Sequence, residues 1–203
     1  DEDLGPAPGR DRAGAVVLLT VGHGTLDRDE LARLLTDAGV ELLVDIRRFP
    51  GSRANPAAAK GSVPELTADA GIDYRWEEHL GGRRTLTAAD RDASPDTWWR
   101  VEAFRAYCAW TRDPRFREAL GRVVDDARAR RTAVMCSESV WWRCHRRIVA
   151  DVAVAEHGLA VGHLMHDGRV TDHAPSEGLR LDDAGHLVWD GDSSRPTVRK
   201  NHR

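Results

Sequence analysis

Short, unbroken apolar runs separated by helix-patterned stretches constrain this chain more than any other feature. Val16 to Val21 is a continuous apolar run that ends in Gly22-His23-Gly24-Thr25, and Val40 to Ile46 is a second, cut off by Arg47-Arg48-Phe49-Pro50-Gly51. Thr132 to Cys136 and Leu159 to Met165 repeat the pattern, and Ile72 to Trp76 is a further strand candidate. Runs of this length suit strands buried on both faces. Leu26 to Ala38 spaces Leu31, Leu34 and Leu35 helically, with Asp27 as cap and Gly39 as stop. Strand, helix, strand with short connections predicts an α/β fold, a three-layer α/β/α sandwich around a mostly parallel central sheet.

The remaining segments organise around that core. Residues 1–13 read as a disordered leader and 14–175 as a single α/β domain with an exposed insertion around 85–97. Residues 176–203 form a C-terminal extension whose apolar patch, Leu187 to Trp189, suits an added hairpin. Residues 50–64 predict a loop with a short helix. Between Trp98 and Ala129 two helices divide at Asp113-Pro114, since proline is tolerated at a helix start and not inside one. A further helix is predicted from Val140 to Glu156, stopped by Gly158. On it Val140, Cys144, Ile148 and Val152 recur every four residues, which turns Cys144 toward the sheet.

Composition narrows the classes of function. A net charge of -3 argues against wholesale wrapping of nucleic acid but allows a local basic site. No apolar stretch approaches the roughly 20 residues that span a bilayer, so the expected location is cytoplasmic, with no membrane partner. The three cysteines, Cys108, Cys136 and Cys144, form no disulfide framework and are read as reduced thiols.

The chemistry concentrates where the strands end, because ligands of open parallel sheets sit outside the carboxyl ends of the strands. Those ends deliver His23, Arg47 with Arg48, and Cys136 with Glu138. A thiol at a strand-to-helix turn gains from the unpaired N–H groups of the helix and from nearby guanidinium groups, so Cys136 is the predicted nucleophile. His23 and Glu138 are the candidate proton carriers. Arg47, Arg53, Arg143 and Arg146, with Trp142 and His145, are the candidate binding residues for a small anionic substrate. Against these stand plainer readings: Cys136 as a small buried hydrophobe, His23 as a backbone-bonded loop residue, the arginines as a solvated face. Cys136, Cys144 and His145 are the alternative metal ligands, although a continuous helix through 140–156 would send Cys144 and His145 in different directions. His163, His166 and His173 form a second cluster near Asp167 with no recognised metal spacing.

Four ordered motifs resemble those of the domain-of-unknown-function family 488. They are Thr20-Val21-Gly22-His23-Gly24-Thr25, the run Leu43 to Pro56, His79-Leu80-Gly81-Gly82-Arg83, and Cys136-Ser137-Glu138 with Trp142-Arg143-Cys144-His145-Arg146. The resemblance spans roughly residues 16–175 and implies a Rossmann-like or rhodanese-like α/β sandwich, not a reaction. A more distant likeness is to rhodanese-type and Cys-based phosphatase domains. From these the chain departs, since Ser-Glu-Ser replaces a glycine-containing loop and Arg143 comes one residue late.

Three functions follow as expectations. The first is a cytoplasmic enzyme using the Cys136 thiolate for sulfur transfer or for hydrolysis of a small anionic compound. The second is a nucleic-acid-associated module, as in repair, that holds phosphates with the Arg47–Arg53 loop and the Arg/Trp-rich helix. The third is a Cys/His metal-binding protein. No cofactor is predicted, with a metal ion as the open alternative.

Overall fold

The computed structural model describes residues 17–192, so the predicted leader at 1–13 lies outside the described residues. Each long apolar run becomes a strand. These are β1 (Val17–Gly22), β2 (Leu42–Asp45), β3 (Asp73–Trp76), β4 (Thr132–Cys136) and β5 (Ala160–Leu164), joined by a short β6 (Val170–Asp172). They form one six-stranded sheet in the order β3-β2-β4-β1-β5-β6, in which β6 alone is antiparallel to its neighbour. The fold is thus a mixed α/β sandwich with a mostly parallel centre.

Strand periodicity divides the core into two faces. Leu19, Val21, Leu43, Ala133 and Met135 pack on one side with residues of α1 (Arg28–Asp37) and α2 (Ser62–Asp69). Their neighbours in sequence, Leu18, Leu42, Val44, Val134 and Cys136, face the other way. There they meet α4 (Glu102–Trp110), α5 (Pro114–Ala129) and α6 (Arg146–His157). A short α3 (Ala88–Asp92) lies in the insertion. Each fully buried Leu, Val or Phe here stabilises by about 1.5–3 kcal/mol. Local signals set the boundaries: Asp27 and Glu30 close a capping box on α1, Asp113 caps α5 ahead of Pro114, and Gly158 ends α6 at φ 65°.

Three expectations are corrected. The helix predicted over 140–156 begins only at Arg146. Before it come a 3₁₀ turn at Trp141–Arg143 and an extended Cys144 at φ -122°, ψ 150°. The helical part of 50–64 is longer than expected, α2 running on to Asp69. The insertion is exposed over most of its length but ends at a fully buried Asp96, which binds Arg112 at 2.6 and 2.9 Å and the Trp189 backbone N–H at 3.1 Å.

The extension does form a hairpin, β7 (Leu179–Leu181) with β8 (Leu187–Trp189), and it enters the core rather than decorating it. Trp189 is fully buried, and its indole N–H donates at 2.8 Å to Asp151 Oδ2. Among the described residues no helix is long and apolar enough to cross a membrane.

Candidate functional site

Register brings the predicted strand ends to one edge. Gly22 pairs with Cys136 and Asp45 with Met135, and the ladder continues past the strands as His23 N–H donates to Cys136 O (3.0 Å) and Ile46 N–H to Met135 O (2.9 Å). Gly22 is required by a close approach. A Cβ there would lie 1.9 Å from the Glu138 carbonyl oxygen and 2.7 Å from Arg146 Nη2. The loop 137–140 can therefore fold over β1 only because this position lacks a side chain.

The 3₁₀ turn decides what meets Cys136. With three residues per turn and an extended residue after it, the chain swings both Cys144 and His145 back onto the end of β4. His145 Nδ1 lies 3.7 Å from Cys136 Sγ and 3.6 Å from Cys144 Sγ, and the three ligand atoms all lie within 4.8 Å of one another. The divergence of Cys144 and His145 expected from a continuous helix is thus corrected. Cys136 and Cys144 are buried and His145 is half-buried. Tyr107 sets its ring 5.0 Å from that of His145, and Gly82 leaves room for the imidazole, since a Cβ there would lie 2.9 Å from Nδ1.

The two sulfurs face each other, within 4.8 Å. The Cys144 sulfur beside it, followed by burial, holds the Cys136 thiol well above the ordinary thiol range. Burial pushes Cys144 up as well, but the Cys136 thiol and the nearby His145 and Arg146 outweigh it and carry Cys144 well below that range.

The other predicted residues divide into committed and free. Arg47 is buried and locked to Asp45, with Nη2 to Oδ2 at 2.6 Å and Nε to Oδ1 at 2.9 Å, while its Nη1 donates to Ala58 O at 3.0 Å. Tyr74 donates to the same carboxylate at 3.0 Å. Arg47 thus serves the fold and has no fork left for a substrate. Arg146 is also buried and reaches the carbonyl oxygens of Glu138 and, at 3.4 Å, Ser139. The loop therefore turns carbonyls toward its arginine, the opposite of an anion cradle, which offers N–H groups. The likeness to rhodanese-type and phosphatase domains gains no support from this loop.

Arg53, Arg143 and Trp142 are exposed. Glu138 is exposed too, its carboxylate accepting from Val140 N–H at 3.4 Å. His23 is 2 % exposed, its Nδ1–H donating to Gly24 O at 3.0 Å. Burial holds its pKa below the ordinary value, with the Gly24 bond opposing and the Arg47 charge adding. The neutral ring leaves Nε2 as a buried acceptor without a partner.

A polar chain that sequence reasoning missed runs behind the centre. Arg146 Nη1 donates to Thr20 Oγ1 (3.4 Å), which bonds His163 Nδ1 (2.7 Å); His163 Nε2 bonds His173 Nδ1 (3.0 Å), and His173 Nε2 bonds Asp151 Oδ1 (2.9 Å). One assignment satisfies every donor: the protons all point from Arg146 toward Asp151. Trp141 stacks on His163 at 3.9 Å and 6°, which anchors the start of the 3₁₀ turn. The histidine cluster thus centres on Asp151, whereas His166 bonds Gly22 O at 2.7 Å and Asp167 pairs with Arg169. Only the His163–His173 proximity had a sequence signal.

A trio of two sulfurs and one imidazole nitrogen at these separations can hold a thiophilic metal ion. A tetrahedral zinc with sulfur at about 2.3 Å and nitrogen at about 2.0–2.1 Å sets S and N about 3.6 Å apart. The observed edges are 3.7 and 3.6 Å.

Compared with known families, residues 27–153 match the model described as domain of unknown function DUF488. No curated protein and no solved structure matches the chain.

Proposed function

The chain belongs to the DUF488 family, whose name assigns no reaction, and from its own geometry we propose a metal-dependent enzyme centred on Cys136, Cys144 and His145. Three residues of the zinc-preferring type would hold a metal with a position open to water or substrate, the pattern of catalytic rather than structural sites. The reaction class that fits is hydrolysis of a small anionic compound, for which a bound metal would supply Lewis acidity and activation of water. The chain's own residues supply the setting. His23, whose backbone N–H donates to Cys136 O and whose Nε2 is bare, is the proton acceptor. Arg146 fixes the loop that carries Glu138, and Tyr107 and Gly82 fix the His145 ring. The observation that carries this reading is the pair of S···N edges, which match a tetrahedral ligand set.

Metal content of tag-free protein purified without chelator tests it. We expect about one zinc-class ion per chain, absent from Cys136→Ser and Cys144→Ser variants that still fold. Folded wild type that takes up neither zinc nor cobalt overturns it. The second reading, a metal-free dithiol, is favoured by the closeness of the two sulfurs. It leaves the pair open to iodoacetamide, whereas a bound metal protects both cysteines.

A further inference from the structure

A cleft of about 700 Å³ opens between the 84–95 segment and α4. Arg48, which follows β2 at the sheet edge, and Arg84 both line it. Their polar partners are neutral. Arg48 Nη1 donates to Arg83 O at 2.6 Å, and Arg84 donates through Nε to Gly81 O at 3.0 Å and through Nη2 to Glu78 O at 3.3 Å. Arg84 also lies 3.8 Å over the Trp110 ring. Among the described residues neither guanidinium forms an ion pair.

Of the carboxylates nearby, Asp96 holds Arg112 and Asp113 is taken by Arg115, while Asp90, which accepts from the Thr87 hydroxyl at 2.6 Å, keeps its charge. Two guanidinium groups therefore share one cleft, neither ion-paired, with Asp90 as its one carboxylate outside an ion pair among the described residues. They sense each other, since burial and then the Arg48 charge push Arg84 below the ordinary arginine range. Guanidinium groups held in place by carbonyls and an aromatic face keep donors free for an oxyanion and lose little freedom on binding it.

Arg48 and His145 both pack against the Gly81-Gly82 peptide. A Cβ on Gly81 would lie 2.6 Å from Arg48 Cα, and one on Gly82 would lie 2.9 Å from His145 Nδ1. Ala106 lines the cleft, and the next residue, Tyr107, packs on His145.

We propose that Arg48 and Arg84 anchor the phosphoryl group of a small phosphorylated substrate whose reactive end reaches Cys136, Cys144 and His145. Two cations match a phosphomonoester dianion better than a singly charged diester, and the volume lies in the range of about 300–1,000 Å³ typical of small-molecule sites. The reactive end rests on the metal reading, while the anchor stands without it.

Calorimetric titration of the full chain with inorganic pyrophosphate tests the anchor. We expect Arg48→Gln and Arg84→Gln each to weaken binding about tenfold or more, as for a lost hydrogen bond to a charged group. Arg48→Lys should lose less, and Arg128→Gln, on α5, should change nothing. Binding should survive in a Cys136→Ser, Cys144→Ser chain, so failure of the metal reading leaves this result intact. Three results overturn the proposal: no binding by wild type, normal binding by both glutamine variants, or equal affinity for a single-stranded oligonucleotide without terminal phosphate. If the serine pair does not fold, chelator-treated wild type supplies the metal-free arm.

Discussion

Replacing Asp151 by Asn removes one oxygen from a site that needs two. Three buried donors converge on this fully buried carboxylate: His173 Nε2 (2.9 Å) and Ser176 N–H (2.8 Å) on Oδ1, and Trp189 Nε1 (2.8 Å) on Oδ2. An Asn oxygen placed at Oδ1 keeps the first two and sets its NH₂ against the Trp189 N–H, donor against donor. The reverse placement faces two donors and is worse. One lost bond to a charged acceptor is worth about 1.5–3 kcal/mol, and weakening of the other two brings the cost of Asp151→Asn to about 2–4 kcal/mol. Trp189→Phe keeps the ring and removes the donor, for about 1.5–3 kcal/mol. In the double variant the donor clash disappears, so its cost should fall short of the sum by about 1–2 kcal/mol. Guanidinium denaturation followed by far-ultraviolet circular dichroism at constant m measures all four corners of the cycle. Additivity within about 0.5 kcal/mol would refute the convergent-donor account.

Gly82→Ala should lower zinc affinity about ten- to a hundredfold, since its Cβ would crowd His145 Nδ1, and competition with a chromophoric chelator reads this directly. Gly22→Ala sets a methyl against the Glu138 carbonyl and should destabilise by about 3 kcal/mol or more, seen as loss of soluble chain or a lowered Tm. Burial first, then the His173 and Arg146 charges, lower the pKa of His163 from 6.5 to about 3. Between those values the unfolded chain binds a proton at His163 and the folded chain does not. Acidification from pH 7 to 5 should therefore cost about 2 kcal/mol through this residue, and His163→Gln should flatten that share of the stability profile.

The sheet was legible because every inner strand is apolar at successive positions, which no surface strand allows. Asp113-Pro114 marked a helix start for equally local reasons. The segment 140–145 misled because Val140, Cys144, Ile148 and Val152 imitate a helical face, while Trp141–Arg143 winds as a 3₁₀ turn and Cys144 is extended. Spacing of four carries no information about such a break, and the break is what assembles the candidate centre. The commitment of Arg47 was within reach, since side chains two apart on an extended chain share a side and Asp45 is its partner. The Thr20–His163–His173–Asp151 chain was not, because its first link joins residues 143 positions apart.

The hairpin's grip on Asp151 also bears on how the chain is made. Synthesis delivers Cys136, Cys144 and His145 well before Trp189, so during translation the nascent polypeptide carries its thiols while the carboxylate behind them lacks its indole donor. The donor set on Asp151 is complete only once Trp189, 38 positions further along, has been made.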